Sequence, residues 1–546
     1  MDKEIRIPEE NKKIPGIWAF PVLFAAGLLI AFLFSPVVDN DTWWILAIGK
    51  NIINNGIPTV EPLAMHEGLD FIAQQWLSSV IFRGIFDVFG YMGLAALCRL
   101  LDFAILFLLF KLCRIVGLDS KAASFATVLA GVPLIVVFGV LRPQMFTFII
   151  LLSEVIFLEK YVKTNKWQWL LPLPVLSALE INLHSSMWFM TLVFILPFAA
   201  ESLHDKMIKL IKRKNYEEWS ETKAKLPKVT YRFWPIAAAF VITAIAGILN
   251  PYGLKAMTYV FRSYGVEIIN KVVSEMMPMS FGYAAWAFVY VIIGVILICA
   301  SKGRKPIRYV CFTIGCSYLA LAHTKGFAYF LLFVVPIVGY CFRDKEFSLH
   351  LFKKPIIADK YKKPFAIILC VCAMVVVFGK DVFMTTHNDI TDLEMYGCKE
   401  VLVYAEENTD INEESKIFAG YNTGGYLEYK GYKPYLDARA EVFLKENNLK
   451  KDYFTEYTTA EYSAFGALDL LKEYKFDYIF IETSSSIHQW LKYLDEDGSG
   501  DYVLVYVYHD ETYSSVSPLA LWVNKNISED VRIDASAELE LKGEFK

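Results

Sequence analysis

The sequence contains none of the short motifs that accompany nucleotide binding or soluble hydrolytic chemistry. Its 546 residues include no Walker phosphate loop, no GxSxG nucleophile motif, no HExxH zinc motif and no dinucleotide-binding fingerprint. These absences count against an ATP-driven pump. No internal repeat of fixed period is visible in the chain either.

Cysteine is scarce in the polar C-terminal part of the chain. Of the nine cysteines only Cys398 lies there, so this part cannot hold an internal disulfide. The other eight lie in apolar segments, where Cys370 and Cys372 are separated by one residue. We interpret all nine as small apolar packing residues, and the sequence predicts no metal ligand among them.

Hydrophobic residues, by contrast, make up 55% of the chain, and mean hydropathy is +0.38. Ordinary soluble domains are about 45–50% apolar. The excess falls into windows of about 17–24 nearly uncharged residues, long enough to cross about 30 Å of hydrocarbon. The sequence therefore predicts a polytopic α-helical membrane protein. Its eleven expected spans are about 16–38, 91–112, 122–140, 143–161, 168–184, 186–203, 233–249, 281–300, 307–323, 326–342 and 364–380.

Positive charge predicts the orientation of these spans. Alternate connections hold 30 Lys and Arg, which the positive-inside rule assigns to the cytoplasm. The N-terminus is then cytoplasmic, and the C-terminal domain is extracytoplasmic. Ile17 to Val38 is too long for a signal peptide and has no small-x-small site before Asp39, so we expect an uncleaved first span. The basic connections are 3–13, 111–121, 160–166, 206–232, 302–308 and 343–363.

The first outer loop, 39–90, is predicted to carry two helices that lie on the membrane. Thr42 to Asn54 shows helical apolar spacing and is stopped by Gly56 and Pro58. Gln74 to Phe89 is the second such helix, because treating 76–90 as a span would place the Lys-rich segments outside.

The chain divides by composition into a membrane domain, 1–380, and a soluble domain, 381–546. The second part has 33 acidic and 15 basic residues, which keeps it soluble and gives no attraction to nucleic acid. Short apolar runs alternate with helical stretches, so we expect a small α/β domain. Its predicted strands are 416–419, 434–436, 478–481, 503–508 and 519–523.

Polar residues from distant segments are predicted to share the outer face. This asymmetry is the main argument, from the residues alone, for an outward-facing site. The candidates are Asp39, Asp41, Gln75, Arg142, Asn182, His184, Glu275, His323 and Lys325, with Trp43 and Trp44 as anchors at headgroup level.

Each candidate also fits a simpler role. The two acids could solvate a helix end, or Asp41 could cap it. Arg142 and Lys325 could extend their charged ends to the interface, and Glu275 could be an ordinary loop acid. His323, Asn182 and His184 could satisfy interface or backbone groups. Two tail and loop motifs, 250–253 and 422–425, fit turns better than ligand loops.

The first outer loop resembles that of the GT-C superfamily of membrane glycosyltransferases. The resemblance rests on Asp41-x-Trp43-Trp44, on Gly56-Ile57-Pro58-Thr59 and on Gln75-Trp76-Leu77-Ser78. Four further motifs follow in the order seen in uncharacterised bacterial members, and the match covers roughly 17–345 together with parts of the tail. These motifs are 142–146, 182–184, 249–253 and 421–426, with Asp437-x-Arg439 after them.

The resemblance implies transfer of a sugar from a polyprenyl-phosphate lipid to an extracytoplasmic glycan, lipid or protein acceptor in the bacterial plasma membrane. By analogy an acid of the first outer loop acts on the acceptor, which here is Asp41 with Asp39 as neighbour or substitute. The donor and its phosphate would be held by Arg142, Lys325, His323 and Gln75. Supporting or acceptor roles would go to Asn182, His184, Glu275, Trp43 and Trp44.

Two departures from the family pattern weaken the case for a bound metal. Relatives often have a His after the Trp pair and a His-Glu before Trp-Leu, whereas this chain has Ile45 and Gln74-Gln75. Some superfamily members use a divalent ion, but no ligand set for one is recognisable here, and no other cofactor is expected.

Two other classes of function stay open at this point. A lipid or glycan transporter or flippase would need charged residues near mid-span, for which Arg99 and Asp102 are the best candidates, although they could simply pair with each other. A non-catalytic scaffold on the same fold, binding a cell-envelope partner through its tail, would have no need of Asp39 and Asp41.

Overall fold

The computed structural model describes residues 27, 29, 32–33, 37–211, 231–262, 264–302, 305–343, 368, 372, 375–382, 397–509, 517–527 and 531–542. Most of the predicted first span, 16–38, all of the basic segment 3–13 and all of 343–363 except Arg343 lie outside the described residues, whereas the predicted last span, 364–380, is described at 368, 372 and 375–380. The predicted domain boundary at 380 adjoins residues 383–396, which also lie outside them.

Apolar helices form the first part of the chain. Within the described residues, four helical segments are long and apolar enough to cross a membrane, namely Trp76–Ile115, Ser120–Phe138, Ser185–Leu203 and Thr324–Phe342. The polytopic helical membrane architecture is therefore as predicted, while the number of spans stays a prediction. The helices are α1 Asn40–Asn55, α2 Trp76–Ile115, α3 Ser120–Phe138, α4 Gln144–Thr164, α5 Pro172–Leu183, α6 Phe189–Val193, α7 Leu196–Ile211, α8 Phe233–Ala246, α9 Leu254–Met257, α10 Glu267–Val272, α11 Ala285–Ala300, α12 Ile307–Ala322, α13 Phe327–Tyr329 and α14 Val335–Phe342.

The first outer loop contains the two predicted helices. α1 begins after Asp39, whose backbone N–H donates to Thr42 Oγ1 at 3.1 Å while Thr42 Oγ1 donates to Asp39 Oδ1 at 3.3 Å. Asp39 is therefore the cap, and the alternative that Asp41 caps this helix was wrong. α2 continues from the second predicted helix into a predicted span, and its one non-helical residue, Gly90 (φ 59°), lies between the two.

The soluble domain is built around a four-stranded mixed sheet. Its order is β1-β2-β4-β3, with β1 parallel to β2 and the other neighbours antiparallel. The predicted strand 434–436 was wrong, because only Pro434 forms an isolated bridge, to Ile417. The strands are β1 Ile417–Ala419, β2 Tyr478–Glu482, β3 Tyr502–Tyr508 and β4 Leu519–Asn524, and the helices are α15 Cys398–Asn408, α16 Gly424–Lys430, α17 Lys445–Asn448, α18 Tyr453–Tyr462, α19 Ala464–Tyr474, α20 Ser486–Glu496 and α21 Ala535–Lys542.

A buried charge cluster joins this domain to the first outer loop. Arg439 donates to Glu61 at 2.9 and 3.1 Å, to Glu428 at 2.9 Å and, through Nε, to Asp437 at 2.7 Å. All four side chains are at most 5% exposed. Burial raises the pKa of Glu61 and of Glu428, while the Arg439 guanidinium acts to lower both.

Aromatic packing covers α1 from the same side. The Trp43 ring lies 5.6 Å from Tyr426 and 5.0 Å from Tyr429, both on α16. Trp43 and Trp44 are only 3% and 8% exposed. Both rings are therefore packed inside the protein rather than exposed as anchors, and their depth relative to the headgroups stays a prediction.

Two buried ion triads connect membrane helices. Arg99 pairs with Asp102 at 3.1 Å and with Asp381 at 3.1 Å. Arg308 similarly pairs with Glu159 at 2.8 Å and Glu201 at 2.5 Å. Buried charges need partners of opposite sign. Both triads supply such partners, and we therefore interpret them as structural contacts between helices.

Candidate functional site

The acids of the first outer loop converge on Arg142, which lies just before α4. Asp39 Oδ2 is 2.5 Å from Arg142 Nε and from Nη2, and Asp41 Oδ2 is 3.0 Å from Nη2. A third acid, Glu275, reaches Nη1 at 3.1 Å from the single turn Ser274–Met276. Three segments that are distant in sequence, chosen from polarity and predicted topology, thus meet at one guanidinium.

Asp41 is the carboxylate with the most unusual environment. Its Oδ1 accepts a hydrogen bond from Trp44 Nε1 at 3.1 Å, one helical turn away, and its side chain is one-fifth exposed. Burial raises the pKa of Asp41 to about 7, against the lowering effect of Arg142 and with the help of Asp39 and Glu275. Asp41 therefore exchanges a proton near neutral pH, which suits a general base.

The charges on Arg142 and Glu275 stabilise each other. Although burial acts against it, Asp39, Asp41 and Glu275 hold the pKa of the Arg142 guanidinium well above its ordinary value. Burial likewise opposes ionisation of Glu275, but Arg142 and Lys325 lower its pKa below the usual range.

These carboxylates do not fit a divalent cation. The guanidinium of Arg142 lies between them, in the place that a metal would take, and is bonded to all three. Among the described residues no group of three His, Cys, Asp or Glu side chains has the geometry of a metal site. No catalytic step is therefore derived through a metal.

Asp41 and Arg142 lie in the wall of a pocket between the membrane helices and the soluble domain. Its empty volume is about 910 Å³, open mouth included. Membrane-domain segments form most of the wall, and the soluble domain closes one side with Tyr421 and 438–441. The pocket is lined by Asp41, Trp44, Ile45, Gln74, Gln75, Arg142, Pro143, Gln144, His184, Ser186, Met187, Tyr264, Ile269, Val273, Glu275, Met276, Lys325, Tyr329, Tyr421, Ala438, Arg439, Ala440 and Glu441.

Lys325 is the second cation of this pocket. Its Nζ lies 4.7 Å from the centre of the Tyr264 ring, and it forms no ion pair with any residue in the described part of the chain. The neighbouring His323 does not line the pocket, because its Nδ1 lies 2.9 Å from the Met276 carbonyl oxygen. Thr324 binds the next carbonyl, of Met277, so this turn holds the loop that carries Glu275.

Of the candidates His184 and Asn182, likewise, one lines the pocket and the other does not. His184 lines the pocket and its Nδ1 is 2.8 Å from Thr147 Oγ1, which in turn donates to Glu180 at 2.6 Å. Asn182 points away from the pocket. It accepts from Trp76 Nε1 at 2.9 Å and donates to two backbone carbonyls, so its simpler, structural role is the one observed.

The two glycine-containing motifs act as turns and packing sites, as their simpler interpretation predicted. At 250–253 the Asn250 side chain bonds three backbone groups of its own turn, and the hydroxyl of Tyr252 reaches Pro58 in the first loop at 2.7 Å. At 422–425 a Cβ on Gly424 would lie 2.0 Å from the Leu436 carbonyl oxygen. Neither motif forms part of the pocket wall.

The sequence-based candidates did not include Glu441. Its Oε1 accepts from Tyr259 at 3.1 Å and from Gln74 at 3.4 Å, which connects the soluble domain to two outer loops. The nearby Asp437-x-Arg439 motif was the only sequence signal for this region. Nothing in the sequence around Glu441 distinguishes it from the other acidic residues of this domain. Only the packing of the domain brings it to the pocket.

No family model and no curated protein matches the sequence. Solved structures do match. The Archaeoglobus fulgidus oligosaccharyltransferase, tethered by a disulfide bond to an acceptor peptide containing the NVT sequon, is 11% identical with a TM-score of 0.50, covering 94% of this chain and 76% of that one. This likeness confirms the predicted GT-C-like fold.

Two further solved structures extend over nearly the whole of this chain. ArnT from Cupriavidus metallidurans, bound to undecaprenyl phosphate, is 11% identical with a TM-score of 0.47 and coverage of 93% of this chain and 97% of that one. Arabinofuranosyltransferase AftD from Mycobacteria is 10% identical with a TM-score of 0.45, covering 94% of this chain and 42% of that one.

Proposed function

We propose that this chain is a membrane glycosyltransferase that moves a sugar from a polyprenyl-phosphate donor to an acceptor outside the plasma membrane. One observation carries the proposal: Asp41, a carboxylate that titrates near neutral pH, lines the same pocket as Lys325, a cation without an ion-pair partner among the described residues. The GT-C-like fold supports the proposal.

Asp41 is the proposed base of the transfer. The acceptor hydroxyl oxygen attacks the anomeric carbon while the bond from that carbon to the phosphate oxygen breaks, and Asp41 takes the hydroxyl proton. Polyprenyl phosphate leaves as a stable anion, so no strong acid has to protonate it. Asp41 needs no strong basicity either, because the proton is transferred as the new bond forms.

Lys325 and Arg142 are the proposed phosphate ligands, and Lys325 is the more available of the two. Arg142 is already bonded to three carboxylates, whereas Lys325 Nζ rests on the Tyr264 ring. Glu275 is the most exposed of the three acids, at 45%, and holds Arg142 through Nη1. An incoming phosphate displaces Glu275 from Nη1, while Asp39 keeps the other edge of the guanidinium in place.

The competing functions have less support from the described residues. Arg99 and Asp102, the best candidates for a transport pathway, pair with each other and with Asp381 in a buried triad. A scaffold would not need an acid with a pKa near 7 in the wall of this pocket. We therefore place the transporter and the scaffold behind the glycosyltransferase.

Replacement of the base tests the proposal without knowledge of the acceptor. Purified chain in nanodiscs is incubated with a panel of undecaprenyl-phosphate-linked sugars, and release of bare lipid phosphate is measured with water or membrane extract as acceptor. We expect Asp41→Asn to lower turnover of the sugar that works by about 10²–10⁴-fold. Asn182→Ala, which alters a polar residue outside the pocket, is the control for general damage, and equal turnover by wild type and Asp41→Asn contradicts the proposal.

A further inference from the structure

Two adjacent glutamine side chains in the pocket wall each have one amide atom without a hydrogen-bond partner among the described residues. Gln75 is 5% exposed, and its Nε2 is buried without an acceptor anywhere in the described residues. The Oε1 of Gln74 is likewise buried without a donor. Buried polar atoms are nearly always satisfied in folded proteins, so such a pair requires an explanation.

The backbone of both glutamines is held by hydrogen bonds from two serines. The Gln74 carbonyl oxygen accepts from the backbone N–H of Ser185 at 2.8 Å and from its hydroxyl at 2.9 Å. The Gln75 carbonyl oxygen accepts from the backbone N–H of Ser79 at 2.9 Å and from its hydroxyl at 3.1 Å. Rigid support of this kind is typical of a binding site whose polar groups are set before the ligand arrives.

Glu441 fixes the orientation of one amide. Gln74 Nε2 donates to Glu441 Oε1 at 3.4 Å, which assigns the amide nitrogen to that contact and leaves Oε1 as the atom without a partner. Gln74, Gln75 and Glu441 line both the main pocket and a smaller cavity next to it, which also reaches Tyr259. A group entering from the pocket mouth therefore reaches all three side chains.

The missing ligand must donate to Gln74, accept from Gln75 and tolerate a carboxylate beside them. A phosphate accepts but would face Glu441 and Gln74 Oε1 without a proton to donate. A peptide amide has a single N–H, which cannot serve both Gln74 and Glu441. Several neighbouring hydroxyl groups meet every requirement, because each hydroxyl both donates and accepts.

We propose that Gln74 and Gln75, with Glu441, form the subsite that binds the hydroxyl groups of an uncharged sugar. This inference rests on the proposed function and deepens it, since Lys325 and Arg142 then hold the phosphate end and this subsite holds a sugar. The sugar belongs either to the donor lipid or to the acceptor glycan, and both sources present the same chemistry.

The subsite is tested by affinity measurements with the full chain in nanodiscs. The probes are bare undecaprenyl phosphate, undecaprenyl phosphate linked to glucose, mannose or arabinose, and free maltohexaose. In Gln74→Leu/Gln75→Leu we expect about tenfold or greater loss of affinity for the sugar-bearing probe that wild type binds, with bare lipid unchanged. Loss for the linked sugars identifies the donor as the source, and loss for maltohexaose alone identifies the acceptor.

Control variants separate this inference from the proposed function. Lys325→Met is expected to weaken bare and sugar-linked lipid equally, and the exposed Gln168→Leu to change neither. The double Leu variant removes two unsatisfied atoms and also the 3.4 Å hydrogen bond from Gln74 to Glu441, which still accepts from Tyr259, so its melting temperature should change little. Equal weakening of bare and linked lipid in that variant, or no preference of wild type for any sugar probe, overturns the subsite. Failure of wild type to bind any lipid phosphate overturns the proposed function itself.

Discussion

At the scale of single residues, the charges around the pocket matter mainly because they set the pKa of Asp41. Its pKa of about 7 is the balance of burial and two like charges against one guanidinium. Because the ionised form is the base, activity should rise with pH through about 7 and level off above it. Each neighbouring charge then shifts this profile in a direction that its sign dictates.

Removing one of the like charges should shift the profile to lower pH. Glu275 raises the pKa of Asp41, so Glu275→Gln lowers it, and we expect the acid limb of donor turnover to shift down by up to about one pH unit. The measurement is the pH dependence of kcat/KM with the sugar-linked lipid. Glu267→Gln, which alters an exposed acid paired with Lys271, serves as the control. An upward shift in Glu275→Gln would show that Asp41 is not the titrating group.

At the scale of elements, the short helix α16 couples the sheet domain to α1. One face carries Tyr426 and Tyr429 against Trp43, and Asn422, just before the helix, accepts from Asn40 at 2.9 Å. The start of the helix is packed more tightly than its contact with α1. A Cβ on Gly424 would meet the Leu436 backbone at 2.0 Å, whereas one on Gly425 would have ordinary contacts at 3.4 Å.

Two single-methyl changes distinguish close packing from a ligand loop at this position. We expect Gly424→Ala to lower the free energy of unfolding by about 1–3 kcal/mol, because the backbone it meets cannot move aside. Gly425→Ala should lower it by less than Gly424→Ala does, because the added methyl makes only ordinary van der Waals contacts with Asn40 and Trp44. Thermal melting of both variants in detergent gives the comparison. A larger loss in Gly425→Ala would indicate that α16 and α1 are closer together than the contacts here imply.

At the scale of the whole molecule, the outer orientation of the pocket follows from charge and stays a prediction. If the basic connections are cytoplasmic, the pocket and the soluble domain share the opposite side. Alkaline phosphatase, which is active only outside the cytoplasm, should be active when fused after residue 546. The same reporter fused within 212–230 should be inactive. The reverse pattern would place the pocket in the cytoplasm, where a lipid-linked sugar would have to face inward.

The sequence predicted elements better than it predicted the contacts between them. Hydropathy located the membrane helices, and four of five predicted strands form, because both signals are local to one element. For the pocket residues, the sequence predicted only that they lie on the same side of the membrane. It did not predict that Asp41, Arg142, Glu275 and Lys325 line one pocket.

Local sequence patterns do not predict the direction in which a side chain points. His323 and Asn182 are as polar as His184, yet both turn to backbone groups outside the pocket. Trp43 and Trp44 have the composition of interface anchors, but the soluble domain buries them. The contact between Gln74 and Glu441 joins residues 367 positions apart, and no pattern within either segment reports it.

That separation has a consequence for synthesis of the protein. The ribosome makes Asp39 and Asp41 early, but the side of the pocket formed by Tyr421 and 438–441 only near the end of translation. A nascent chain in the membrane thus exposes its acids long before that side of the pocket exists. Completion of the last domain acts as an assembly check, so a chain that stalls or is clipped before residue 441 would remain in the membrane without consuming lipid-linked sugar.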